Sequence, residues 1–180
     1  MSKQSNAKED KNPLVYLKHH NYYRDTKLRR ILGDVKTFAM VGASTVWRRP
    51  SFYAMKYLQH KGFRIIPINP GRAGGEKLGE KIYGSLADAP YHIDIVDISS
   101  PTDTHREIAL AAAEAGKHIL CEKPMALSAD EALEMCRAVK QAGGTHAIGH
   151  NYRRVPAIRL AKQMIEEGQL GEIYHWRGTY

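Results

Sequence analysis

The chain has 180 residues, with 27 Lys and Arg against 19 Asp and Glu, a formal net charge of +8 and 43% hydrophobic residues. That is one domain's worth of chain, able to bury a core without disulfides or metals, and 26% charged residues with no low-complexity tract argue against wholesale disorder. Apolar stretches such as Phe38–Val41 and Ile108–Ala113 fall far short of the roughly 20 residues that cross a bilayer, and the polar Met1–Asn12 segment lacks the apolar centre of a secretory signal. A cytoplasmic protein with no membrane partner is therefore expected.

Cys121 and Cys136 fall in different expected elements with no CxxC or Cys/His spacing, so both read as core thiols and no metal site is expected. Many of the basic residues precede the first strand (Lys11, Lys18, His19, His20, Arg24, Lys27, Arg29, Arg30, Lys36), and the remainder are scattered. None belongs to a DNA-reading or RNA-reading motif, so no nucleic-acid partner is expected.

In chain order, residues 1–24 read as a polar extension, and Asp25–Leu32, closed by Gly33, as a short helix. Thr37–Gly42 is an apolar run of strand formers. Pro50 then starts a helix whose apolar stripe of Phe52, Met55 and Tyr57–Leu58 runs to Lys61. Phe63–Ile68 is a second strand stopped by Asn69–Pro70–Gly71, and the Gly-rich stretch to Gly79 reads as a loop. Ser85–Ala89 is expected to form one helical turn. Ile93–Ile98, His118–Cys121 and Thr145–Gly149 read as strands, Asp103–Ala115 and Pro156–Glu167 as helices, and Glu172–Tyr180 as a last strand. Ser128 and Glu131 form a capping box that starts a further helix ended by Gly143.

Apolar strands alternating with amphipathic helices require a parallel sheet covered on both faces, so the fold class is α/β: a doubly wound, mostly parallel, Rossmann-like sheet. Ligands of such folds bind beyond the strand carboxyl ends at a topological switch point, which makes the loops after Val41, Ile68, Ile98 and Cys121 the candidate site.

The loop after the first strand lacks the G-x-G-x-x-G fingerprint, because Gly42 is followed by Ala43, Ser44, Thr45, Val46 and Trp47. The segments V-G-A-S, R-P-S and I-N-P-G, within residues 25–97, resemble the small bacterial CoA-binding proteins. That resemblance implies a Rossmann-like fold binding CoA or a similar adenine nucleotide. Gly42, Ala43, Ser44, Arg49, Pro50 and Ser51 would then cradle a pyrophosphate at the N-terminus of the Pro50 helix, with Arg48 or Arg49 adding charge. At the end of the second strand stand Asn69 and Pro70 with Arg72 close by. No acid is present there for a ribose 2′-OH, so a phosphorylated ribose is favoured.

From about Ile93 to Tyr180 the chain reads S-S-P-T-D-T-H, then E-K-P after a strand, then G-H-N-Y-R-R and G-E-I-Y-H-W. This resembles the Gfo/Idh/MocA oxidoreductases. The likeness implies that Lys123 acts catalytically beside the nicotinamide and substrate. It also implies that Ser100, Pro101, Thr102, His105 and Glu122 line the cofactor crevice, with His150, Asn151, Tyr152 and Arg153 closing its nicotinamide end. The two likenesses together read as a hybrid joined near Asp97–Thr102, and they leave NAD(P) and CoA both open as the cofactor.

In the oxidoreductase family a large α+β domain follows the nucleotide domain. Residues 25–171 are accordingly read as the nucleotide-binding domain and 172–180 as the first strand of a further, missing domain. The expectation is a nucleotide binder that is inactive alone and takes a small polyol or sugar only if that domain is supplied. The unpaired strand at Glu172–Tyr180 is able to pair with a second copy of the chain in a homo-oligomer.

Overall fold

The structure, a computed structural model, describes residues 25–179; the expected extension over residues 1–24 lies outside them. The first helix, α1 (Asp25–Asp34), runs through Gly33 to Asp34, two residues past the expected end. β1 (Thr37–Val41) follows, then α2 (Pro50–His60) and β2 (Arg64–Ile68). Two short strands, β3 (Glu76–Lys77) and β4 (Glu80–Lys81), pair antiparallel where the sequence suggested only a loop. β5 (Ile95–Ile98) leads through a 3-10 turn at Thr102–Thr104 into α3 (His105–Glu114). β6 (His118–Cys121), α4 (Ala129–Gln141), β7 (His146–Ile148) and α5 (Pro156–Glu166) complete the order.

The main sheet has the order β2-β1-β5-β6-β7 with every pairing parallel, so the expected α/β doubly wound fold is present. β1 lies between β2 and β5, and the chain leaves it in one direction and later returns to its other side. The switch point therefore falls between β1 and β5.

Alternation along each strand assigns the two faces. Phe38, Met40, Ile65 and Ile95 pack on one face with Val35 and Met55, against α1 and α2. Ala39, Val41, Ile66, Val96, Ile98, Ile119 and Cys121 pack on the other, with Ala109, Ala112 and Ala113 of α3 and Met135 and Val139 of α4. The three alanines let α3 approach the sheet closely. Ser128 caps α4 by accepting the Glu131 N–H at 3.2 Å, as the S-x-x-E spacing predicts. The Glu131 carboxylate takes the Leu127 N–H at 3.0 Å, one residue ahead of the cap.

Two expectations fail. Ser85–Ala89 is not a helical turn: Asp88 N–H donates to the Ser85 hydroxyl and Ala89 N–H to the Leu86 carbonyl, which makes a local turn. Residues 172–179 form no strand, because a strand needs a ladder partner and none of the described residues supplies one. Tyr180 lies outside the described residues. Among those described, no helix is long and apolar enough to cross a membrane, and no group of three or more His, Cys, Asp or Glu is placed to hold a metal.

Candidate functional site

The candidate site lies along the carboxyl edge of the sheet, where the loops after β2, β1, β5 and β6 stand side by side. Gly42 ends β1 with φ +84, and a Cβ on it would lie 2.6 Å from the Ser100 backbone. Only glycine fits that turn and that approach, so the loops after β1 and β5 meet with no side chain between them.

Beyond Gly42 the loop is tied down by its neighbours. Asn69, at the end of β2, donates through Nδ2 to the Ala43 carbonyl at 2.9 Å. Lys77, from β3, donates its ammonium to the Ser44 carbonyl. Ser44 N–H donates to the Ser51 hydroxyl at 3.1 Å, and Val46 N–H to the Ser44 hydroxyl at 3.2 Å. Both hydroxyl oxygens thus accept within the loop and keep their own O–H groups to donate. Thr45 N–H has no hydrogen-bond partner among the described residues. Arg48, Arg49 and Pro50 are exposed around it, Arg49 with extended backbone just ahead of α2.

Asn69 is therefore partly spent on fold: its donor holds the β1 loop. Pro70 and Arg72 occupy an exposed 3-10 turn beyond it. Across the switch point, the Ser100 and Thr104 hydroxyls lie 2.7 Å apart, Pro101 is exposed and Thr102 half-buried.

His105 is buried between the loops after β5 and β6. Only 1% of its surface is exposed, with Nε2 2.9 Å from the Ser100 carbonyl and Nδ1 3.0 Å from the Pro124 carbonyl. The ring ties the loops after β5 and β6 together, with a carbonyl beside each nitrogen and, in the neutral imidazole, one N–H to donate.

That tie holds the segment carrying Glu122 and Lys123, both exposed. Lys123 N–H donates to the Glu122 carboxylate at 3.1 Å, and that carboxylate rests over Gly149, where a Cβ would come within 3.0 Å of it. His150, Asn151, Tyr152 and Arg153 form an exposed turn beside β7.

Two residues that the sequence reading passed over belong to this edge. Asp97 lies on β5 between Met40 and Leu120, 4% exposed, accepting a hydrogen bond from the Ser99 hydroxyl at 3.2 Å. Burial pushes its carboxyl up to about 7; the Ser99 hydrogen bond opposes this and the Glu122 charge adds to it. Lys77 is the other, 5% exposed, with its ammonium 5.2 Å from the centre of the Phe52 ring. Burial lowers its pKa below the ordinary lysine value. For Asp97 the signal was a charged residue inside the apolar I-V-D-I strand; Lys77, in the Gly-rich G-G-E-K-L-G stretch, carries no local signal. Cys121 is the core thiol expected of it, its pKa pushed up to about 12 by burial and then by Asp97 and Glu122.

The positions form a line. With strands about 4.8 Å apart, the β2 end carrying Asn69 and Arg72 stands roughly 14 Å from the β6 end carrying Lys123, with the Gly42 turn between them. The edge is long enough for an elongated ligand, and between its two ends lie the Gly42 turn and the open Thr45 N–H, a donor suited to a phosphate.

Known proteins resemble this chain in sequence and in fold. A model of the oxidoreductase family with NAD-binding Rossmann fold matches residues 36–150, on both sides of Asp97. Levoglucosan dehydrogenase of Pseudarthrobacter phenanthrenivorans is 53% identical over 134 residues, which cover 74% of this chain and 34% of that enzyme. The WlbA dehydrogenase of Bordetella pertussis, solved with NADH and UDP-GlcNAcA, superposes with a TM-score of 0.65 at 27% identity, over 78% of this chain and 42% of that one. A Thermus thermophilus protein superposes at 0.62 and 28% identity over 70% of this chain and 91% of its own. The chain spans between about a fifth and two fifths of the length of the curated relatives it matches. The family match now reaches back through β1, α2 and β2, the part likened to CoA-binding proteins, and the chain belongs to the Gfo/Idh/MocA oxidoreductase family through its NAD-binding Rossmann domain.

Proposed function

We propose that this chain binds NAD(P) along the carboxyl edge of its sheet as the nucleotide domain of a sugar or polyol dehydrogenase. The observation that carries the reading is the Gly42 turn, seated on the Ser100 backbone at the switch point with the Thr45 N–H open beside it. The pyrophosphate lies there, taking hydrogen bonds from Thr45 N–H and the Ser44 and Ser51 hydroxyls, with Arg48 and Arg49 supplying positive charge. The adenosine ribose lies toward β2. Asn69 and Arg72 in place of an acid favour a ribose phosphate, hence NADP over NAD.

At the other end the nicotinamide of NAD(P), when bound, would supply hydride-transfer chemistry. Lys123 is the catalytic residue, its ammonium hydrogen-bonding a substrate hydroxyl and stabilising the negative charge that develops on that oxygen during hydride transfer. Glu122 and the His105 tie fix the backbone from which Lys123 projects. The substrate class rests on the named relatives, levoglucosan dehydrogenase among them. The chain is expected to bind cofactor and to turn over little unless a substrate is positioned against Lys123, since misplacement by about 1 Å costs on the order of 100-fold.

Calorimetric titration of the chain with NADP, NAD and CoA tests the reading. NADP binding more tightly than NAD, with Ser44→Asp abolishing both, is expected. CoA binding more tightly than either dinucleotide would replace the dehydrogenase reading with the CoA-binding one.

A further inference from the structure

Consecutive carbonyls in the β1 loop, those of Ala43 and Ser44, are each held by a side chain from the segment after β2: Asn69 takes the first and Lys77 the second. A trans peptide points its carbonyl and the following N–H in opposite directions. Holding the Ala43 carbonyl turns Ser44 N–H toward Ser51 at the start of α2, where its hydrogen bond is found. Holding the Ser44 carbonyl turns Thr45 N–H the other way, and that group is left open.

Lys77 is a costly choice for this work. Lys77 is 5% exposed, and its ammonium meets a neutral carbonyl and the Phe52 ring. No carboxylate lies within ion-pair distance of it among the described residues. An unmatched buried ammonium is penalised by desolvation, and a methionine fills the same space without that penalty. The β3–β4 hairpin that carries it is itself fixed to α2, through Gln59 Nε2 donating to the Leu78 carbonyl at 3.1 Å. Lys77 therefore enters the loop from a rigid support, and its positive charge lacks an anion.

Building on the nucleotide reading above, we propose that Lys77 is a positioning residue for the nucleotide diphosphate. It keeps the Ser44 carbonyl turned away from the phosphates and Thr45 N–H turned toward them, and its unmatched charge favours an anion at the loop.

The test separates this role from general support of the fold. The whole chain and its Lys77→Met and Lys77→Gln variants are titrated with ADP, which carries the diphosphate, and with adenosine, which does not, using ligand-observed NMR. Circular dichroism shows which variants fold. Each folded variant is expected to bind ADP at least about tenfold more weakly and adenosine within about twofold of the parent, a loss confined to the phosphates. Unchanged ADP affinity, or equal losses for ADP and adenosine, overturns the role of Lys77. Should neither variant fold, Lys77 is a support of the fold and the proposal is likewise overturned. Failure of the parent chain to bind ADP at all overturns the nucleotide reading itself, a result distinguishable from the others because it needs no variant.

Discussion

At the scale of single residues, Asp97 carries a carboxyl that burial holds well away from its behaviour in water. Its carboxyl is buried in a strand, with one hydroxyl donor and the Glu122 charge nearby, and it titrates near 7. Between about pH 4 and that value the folded chain holds a proton that the unfolded chain has released. Stability from this group therefore falls as pH rises through the window and levels off above it. The full effect is at most roughly 4 kcal/mol. Asp97→Asn removes the titration while keeping an acceptor for Ser99. Urea melts at pH 4.5 and pH 8 should show the parent losing stability between the two and the variant losing clearly less; equal losses would mean that Asp97 is solvated or paired.

His105 teaches a different lesson. Its sequence context, one helical turn after S-S-P-T, placed it in the right part of the fold. Its buried ring, engaged by the Ser100 and Pro124 carbonyls, depends on the loop after β6 returning across α3, which is a tertiary fact. Lys77 was hidden for the same reason, since nothing local marks a lysine that a hairpin turns inward.

Among the elements, strands and helices with strong periodicity or capping were legible to within a residue or two. The clearest is α4, whose Ser128 cap follows from the S-x-x-E spacing and is present as a hydrogen bond. Ser128→Ala leaves Glu131 N–H without that acceptor, and about 1 kcal/mol is expected to be lost. For a domain of this size that lowers the melting temperature by roughly 2–4 °C. A melt unchanged within a degree would show that the first turn of α4 contributes nothing to the cooperative unit. The elements misread were those fixed by partners: β3–β4 gains its pairing only from the hairpin, and residues 172–179 find none.

Taken as a whole molecule, the chain places its candidate site residues along one sheet edge in the order β2, β1, β5, β6. Fold class and the four loops were readable from alternation alone, because a parallel sheet with helical crossovers has few topologies and a fixed functional edge. Cofactor class was less readable, since the loop lacks two of the three fingerprint glycines. The family match across residues 36–150 now favours a dinucleotide.

Backbone amide shifts recorded by NMR during an NADP titration test this most directly. The account predicts changes clustered at Thr45, Trp47, Asn69, Ser100 and Lys123, running from the end of β2 to the end of β6. No change at millimolar NADP, or changes confined to the opposite edge around His92, Asp94 and Lys117, would contradict it.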